Sequence, residues 1–198
     1  MTHIHYQNAH FLLSVANLHQ LPPDNGIEVA FVGRSNAGKS SVLNQVTQQK
    51  NLARVSNTPG RTQLINYFVI DAKHRLVDLP GYGFAKVPLP VKKQWQDLLD
   101  SYLRARKSLN GLVLVMDIRH PMRDFDEQML KWCDECGLQV HILLNKSDKL
   151  TSAKIRQALQ EVKKAIAQYS NPISLQAFSA LKKTGTDELR KILDAWYS

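Results

Sequence analysis

Eight consecutive residues, Gly33-Arg34-Ser35-Asn36-Ala37-Gly38-Lys39-Ser40, have the types and spacing of a loop that cradles phosphates. The two glycines let the backbone bend so that successive N–H groups face one anion. Lys39 then reaches the β- and γ-phosphates, and the Ser40 hydroxyl can bind Mg²⁺. The flanks fit this chemistry. Ile27–Val32 reads as a short buried strand interrupted only by Glu28, and Ser41–Val46 continues in a helical pattern. A helix opening at this loop adds its own N–H groups and the positive end of its dipole to the anion site.

Three further tetrapeptides follow strand-like runs. Asp78-Leu79-Pro80-Gly81 follows a run ending at Val77. Its carboxylate can join the shell of Mg²⁺, and the Gly81 N–H can meet a γ-phosphate. Asn145-Lys146-Ser147-Asp148 follows Val140–Leu144. The Asp148 carboxylate suits guanine, which offers N1–H and a 2-amino group. Adenine would leave that charge unpaired, which allows discrimination of roughly 10⁴ or more. Phe178-Ser179-Ala180-Leu181 follows the last strand, where the Ala180 N–H can reach guanine O6. Their order and common placement after strands select a guanine nucleoside triphosphate over an ATP-dependent enzyme.

These loops need elements to hold them. Apolar runs predict strands over 27–33, 64–71, 74–79, 111–117, 138–144 and 173–178. Helical periodicity predicts helices over 39–48, 90–107, 124–136, 152–169 and 186–197. The two-residue link Ala72-Lys73 allows only an antiparallel hairpin, while runs such as Leu112–Met116 suit a parallel sheet covered on both faces. The expected fold is an α/β three-layer sandwich with a mostly parallel six-stranded sheet and one antiparallel hairpin strand, its sites at the carboxyl ends of the strands. Residues 1–22 are expected to form an N-terminal extension packed on a single domain of residues 23–198.

With 198 residues, 43% of them hydrophobic, the chain has the length and apolar content for one globular core. Its net charge of +9 suggests a polyanionic partner. The basic residues Lys86, Lys92, Lys93, Arg104, Arg106 and Lys107 flank an apolar stripe of Val91, Trp95, Leu98, Leu99 and Tyr102, and RNA is one candidate for that face. The first Lys or Arg is Arg34, so a secretory leader is not expected, and no apolar run is long enough to cross a bilayer. A cytoplasmic location without membrane insertion is the expectation. Cys133 and Cys136 close a helical pattern rather than open one, so they are expected to be structural.

The motifs together make the chain resemble the EngB family of bacterial ribosome-biogenesis GTPases, within the wider group of TrmE-, Era- and septin-like GTPases. The resemblance runs from about Phe11 to the last helix. Thr58-Pro59-Gly60-Arg61-Thr62-Gln63 stands where switch I belongs, and Asp78–Ala85 where switch II belongs. It implies a P-loop NTPase G domain in which Gly33, Arg34, Ser35, Asn36, Ala37, Gly38, Lys39 and Ser40 bind the phosphates. Ser40 and Thr62 would bind Mg²⁺. Gly60, Arg61, Thr62, Gln63 and Leu64, with Asp78, Leu79, Pro80 and Gly81, would sense the γ-phosphate. Asn145, Lys146, Ser147, Asp148, Phe178, Ser179 and Ala180 would hold the base. Family members often carry Thr where this chain has Asn145.

Where Ras-like enzymes place a water-orienting glutamine, this chain has Tyr82, so slow hydrolysis is expected. The residues expected to carry the reaction are Lys39, Thr62 and Asn36. Asn36 matches an asparagine that related GTPases use to bind K⁺ beside the phosphates, and Arg61 is a second source of positive charge. The resemblance also implies partners: GTP and GDP, the large ribosomal subunit and its rRNA, with an effect on cell division and septation, and a monomeric chain. A GTP-dependent RNA-binding module with incidental hydrolysis is the alternative.

Overall fold

The computed structural model describes residues 4–53, 64–82 and 89–198. Seven strands form one sheet: β1 (His10–Val15), β2 (Ile27–Gly33), β3 (Ile65–Val69), β4 (His74–Asp78), β5 (Leu109–Asp117), β6 (Gln139–Asn145) and β7 (Ile173–Ala177). Their spatial order is β1-β3-β4-β2-β5-β6-β7. The helices are α1 (Lys39–Thr47), α2 (Leu89–Ala105), α3 (Asp124–Glu135), α4 (Ser152–Ile166) and α5 (Thr186–Trp196). Only β3 runs against the others, because it pairs antiparallel with both β4 and β1.

The sheet has one strand more than the six expected. His10–Val15 pairs with β3 at the sheet edge, with a register shift between Phe11 and Leu13. The bulge and the exposed side chains of Phe11 and Leu12 leave no alternation of buried and exposed residues along this strand, and the short apolar run Phe11–Leu13 is its one sequence signal.

Both faces of the sheet are covered. Leu99, Tyr102 and Leu103 of α2, Met129, Leu130 and Cys133 of α3, and Ala158, Val162 and Ile166 of α4 build the core on one face. Val42, Leu43 and Val46 of α1 and Leu189, Leu193 and Trp196 of α5 build it on the other. Central strands buried on both sides favour apolar runs, as in Leu112–Met116 of β5 and Ile142–Leu144 of β6. Cys133 is a free, buried member of this core, and burial pushes its thiol pKa up, as the structural reading expects.

One charge sits deep inside. Glu28 of β2 is fully buried. Its Oε1 accepts from Arg106 Nη2 at 2.6 Å and Arg75 Nη1 at 3.1 Å, and its Oε2 from Arg106 Nε at 3.0 Å and the Tyr102 hydroxyl at 3.2 Å. Arg106 Nη1 also donates to the Pro22 carbonyl at 2.9 Å. This arrangement corrects the reading of residues 86–107 as a basic face. Arg106 is buried on Glu28, and Arg104 is paired with Asp100 and Glu135. Among the described side chains of that stretch, Lys93, Arg104 and Lys107 are exposed, and the side chains of Lys86 and Lys92 lie outside the described residues.

Removing one partner of a buried, hydrogen-bonded ion pair leaves the other unpaired and costs about 3–5 kcal/mol. Glu28→Ala takes the buried carboxylate from Arg106 and one acceptor from Arg75, so a loss of that size is expected in urea unfolding. A shift under about 1 kcal/mol would contradict a charged, desolvated cluster.

Candidate functional site

Parallel register brings five loops to one edge. Phe31 pairs with Asp78, Gly33 with Val115, Asp117 with Asn145, and Leu144 with Ala177. The residues that end β2, β4, β5, β6 and β7 are therefore neighbours, and the loops that follow them meet at the carboxyl end of the sheet.

The loop after β2 wraps into α1. Gly38 takes a left-handed conformation (φ +96°), and no side chain among the described residues caps the helix start. The first-turn N–H groups are thus left to a ligand. A Cβ at Gly38 would collide with the Asn145 side chain, and one at Gly33 with the Val115 carbonyl. Asn36 is also left-handed (φ 65°) and exposed, so its side chain stands in solvent at the loop's tip. The Lys39 ammonium is paired with the Asp78 carboxylate, which joins the phosphate-type loop to the end of β4.

The two base-type loops interlock with the phosphate-type loop. Asn145 is 2% exposed. Its Nδ2 donates to the Ala37 carbonyl at 2.8 Å, and its Oδ1 accepts from the Ala180 N–H at 3.3 Å. Lys146, left-handed at φ 66°, sends its ammonium to the Asn36 carbonyl at 2.5 Å and to Asp117 at 3.0 Å. Ser147 N–H donates to the Phe178 carbonyl at 3.1 Å. Ser179 Oγ donates to Asp148 Oδ1 at 2.6 Å, and this bond holds the Asp148 carboxyl below the usual carboxylate range. Asp148 is therefore ionised and oriented, as a reader of guanine N1–H and 2-amino donors needs to be.

Of the residues singled out in the sequence, Gly33–Ser40, Asp78–Gly81, Asn145–Asp148 and Phe178–Ala180 lie around this one edge. Leu64 is half-buried immediately before β3. Gly60, Arg61, Thr62 and Gln63 lie outside the described residues. Asp117 escaped the sequence reading. Burial opposes its ionisation, but Arg119 and Lys146 outweigh that and hold its carboxyl low. Its signal was the one already used for Asp78, a lone carboxylate closing an apolar strand.

Tyr82 is 2% exposed. Its hydroxyl donates to Asp126 of α3, and its ring packs 4.5 Å from Phe125 and 5.9 Å from Trp95, centroid to centroid. Among the described residues no cluster of three or more His, Cys, Asp or Glu side chains could hold a metal on its own. No described helix is long and apolar enough to cross a membrane.

Residues 28–146 match the family described as 50S ribosome-binding GTPase, and residues 96–198 match the elongation factor Tu GTP-binding domain. Fold and site together define a P-loop GTPase. A probable GTP-binding protein EngB from Salmonella paratyphi B is 55% identical over 199 residues, covering all of this chain and 94% of that protein. The Salmonella newport counterpart is 54% identical over 198 residues, with the same coverage. The crystal structure of a probable EngB superposes with a TM-score of 0.69 at 20% identity, covering 86% of this chain and 98% of that one. Era of Aquifex aeolicus, as a variant bound to GDP and AlF4⁻, superposes at 0.66 with 22% identity, over 85% of this chain and 56% of that one. The chain belongs to the EngB family of GTP-binding proteins, GTPases of the ribosome-biogenesis group.

Proposed function

We propose that the chain is a slow GTPase switch in assembly of the large ribosomal subunit, and that cell division and septation depend on it through that role. The observation that carries this reading is the convergence of the phosphate-type and base-type loops at one end of the sheet, tied together by Asn145. The description of the matched family as a 50S ribosome-binding GTPase, and the net charge of +9, favour the ribosomal partner and its rRNA. A cytoplasmic monomer suits this role, with residues 1–22 as an extension of one G domain formed by 23–198. The edge strand His10–Val15 supports that extension's packing on the domain.

In this reading Gly33–Ser40 bind the phosphates, Lys39 neutralises them, and Asp78–Gly81 with Gly60–Leu64 respond to the γ-phosphate. Asp148 reads the base, while Asn145 and Lys146 brace the loops around it. Mg²⁺ fits the donors present. It binds through few protein oxygens plus substrate phosphates rather than a dedicated cage, and Ser40 beside Lys39, Asp78 and Thr62 are hard oxygen ligands of that kind. When bound, the ion would neutralise charge on the β- and γ-phosphates.

Slow turnover is supported by the burial of Tyr82, whose hydroxyl is spent on Asp126 and cannot orient a water. The exposed Asn36 side chain is free to bind K⁺ at the phosphates, where added positive charge contributes up to ~10³–10⁵ in rate. Turnover is therefore expected to be faster in K⁺ than in Na⁺, and equal rates would remove the cation from the mechanism.

Asp148→Asn exchanges an acceptor for a donor, so GTP affinity should fall at least about a hundredfold while xanthine nucleotides gain. Unchanged GTP binding would refute the base assignment. Co-sedimentation with ribosomal subunits tests the switch itself. The large subunit is expected to retain the chain with a non-hydrolysable GTP analogue and release it with GDP. Retention that ignores the nucleotide would leave only an RNA-binding module with incidental hydrolysis.

A further inference from the structure

Tyr82 joins the phosphate side of the site to the aromatic core between α2 and α3. Its backbone is stitched to the phosphate-type loop on both sides. The Tyr82 N–H donates to the Gly33 carbonyl at 3.3 Å, and the Tyr82 carbonyl accepts from Ser35 N–H at 2.7 Å. Its hydroxyl donates to Asp126 Oδ1, and Asp126 Oδ2 accepts from the Arg123 N–H at 2.9 Å, which caps α3. Both side chains are 2% exposed. A continuous set of hydrogen bonds therefore runs from the start of α3 through Asp126 and Tyr82 to Gly33 and Ser35. Gly81 directly precedes Tyr82 and packs on the same loop. A Cβ added there would lie 3.5 Å from the Gly33 carbonyl oxygen, an ordinary contact.

Packing alone does not call for this bond. Phenylalanine would keep every ring contact of Tyr82, and an apolar residue at 126 would avoid burying a carboxylate, which is costly even when paired. What the hydroxyl adds is a fixed orientation of the backbone that carries Gly81.

We propose that Asp126 is a positioning residue for GTP hydrolysis: its carboxylate holds the Tyr82 hydroxyl, and Tyr82 in turn sets the Gly81 N–H against the Gly33–Ser40 loop. The inference rests on the reading of Gly81 as a γ-phosphate contact. Hydrolysis is sensitive to such placement because a shift of about 1 Å, even from a change far from the chemistry, can cost about a hundredfold in rate.

The test compares GTP turnover and GDP affinity of the full chain with those of Tyr82→Phe, Asp126→Asn, the double variant and Gly81→Ala. Tyr82→Phe is expected to lower kcat about tenfold, with KM and GDP affinity held within about twofold. Asp126→Asn has one acceptor oxygen where Asp126 has two, so either the Tyr82 hydroxyl or the Arg123 N–H loses its partner, and kcat should fall no further than in Tyr82→Phe. The double variant should fall no further than Tyr82→Phe, because both changes break one interaction. It also carries the test if Tyr82→Phe, with its stranded carboxylate, fails to fold. Gly81→Ala puts a methyl group against the Gly33 carbonyl and Ser35, on the phosphate-type loop itself, and should lower kcat at least as far.

Undiminished kcat in Tyr82→Phe beside an impaired Gly81→Ala would overturn the positioning role alone. Equal losses of kcat and GDP affinity would overturn it in favour of a structural role. Undiminished kcat in Gly81→Ala would remove the γ-phosphate reading and this inference with it.

Discussion

The side-chain amide of Asn145 links the two ends of the site. On the proposed reading a nucleotide is gripped at its phosphates by one loop and at its base by others, so those loops must keep a fixed separation. Asn145 Nδ2 donates to the Ala37 carbonyl and Oδ1 accepts from the Ala180 N–H. A planar amide offers a donor and an acceptor at once, which neither a carboxylate nor an ammonium can do. Gly38 completes the fit, since any Cβ there would occupy the space of that amide. Lys146 adds a second brace with the Asn36 carbonyl and Asp117 as its targets. The bound ligand is met by a preformed frame, so less of its binding free energy goes into ordering loops.

That frame depends on strand register, and register is fixed at the opposite end of the sheet. Glu28 pairs with Arg75 across the β2–β4 ladder and takes a second guanidinium from Arg106 beyond the end of α2. A slip of one residue would send Glu28 to the other face of the sheet, away from both cations. Central strands as uniformly apolar as β5 carry little register information of their own. One buried charge with placed partners supplies it, at the cost of desolvating that charge. Further along the same strand, Phe31 is thereby aligned with Asp78, and Gly33 stands beside Val115.

The central strands, the five helices and the loops at the carboxyl edge were legible in the sequence because each rests on a local pattern: an apolar run, a 3.6-residue period, a glycine spacing. What escaped it depends on contacts distant in the chain. β1 has no alternation to read, and it exists because β3 offers an unpaired edge. Arg106 looks like any surface cation until Glu28, 78 residues away, is seen beside it. Asp117 is joined to the base-type loop through Lys146, beside its local partner Arg119. Glu28 was visible as an interruption of an apolar strand, yet a sequence does not say whether such a residue is paired or misplaced.

Tyr82 shows how a single side chain can separate binding from reaction. Its backbone belongs to the phosphate side of the site, while its side chain belongs to the core among Phe125, Trp95 and Asp126. A residue held that way steadies the loop but presents no group to a water molecule. Phosphoryl transfer needs positive charge and an oriented nucleophile, and little covalent chemistry from the protein. The described residues supply the charge of Lys39 and leave the second requirement open. On the proposed reading, slow intrinsic turnover and stimulation by a cation or a macromolecular partner are one property, because Tyr82 brings no group to the water.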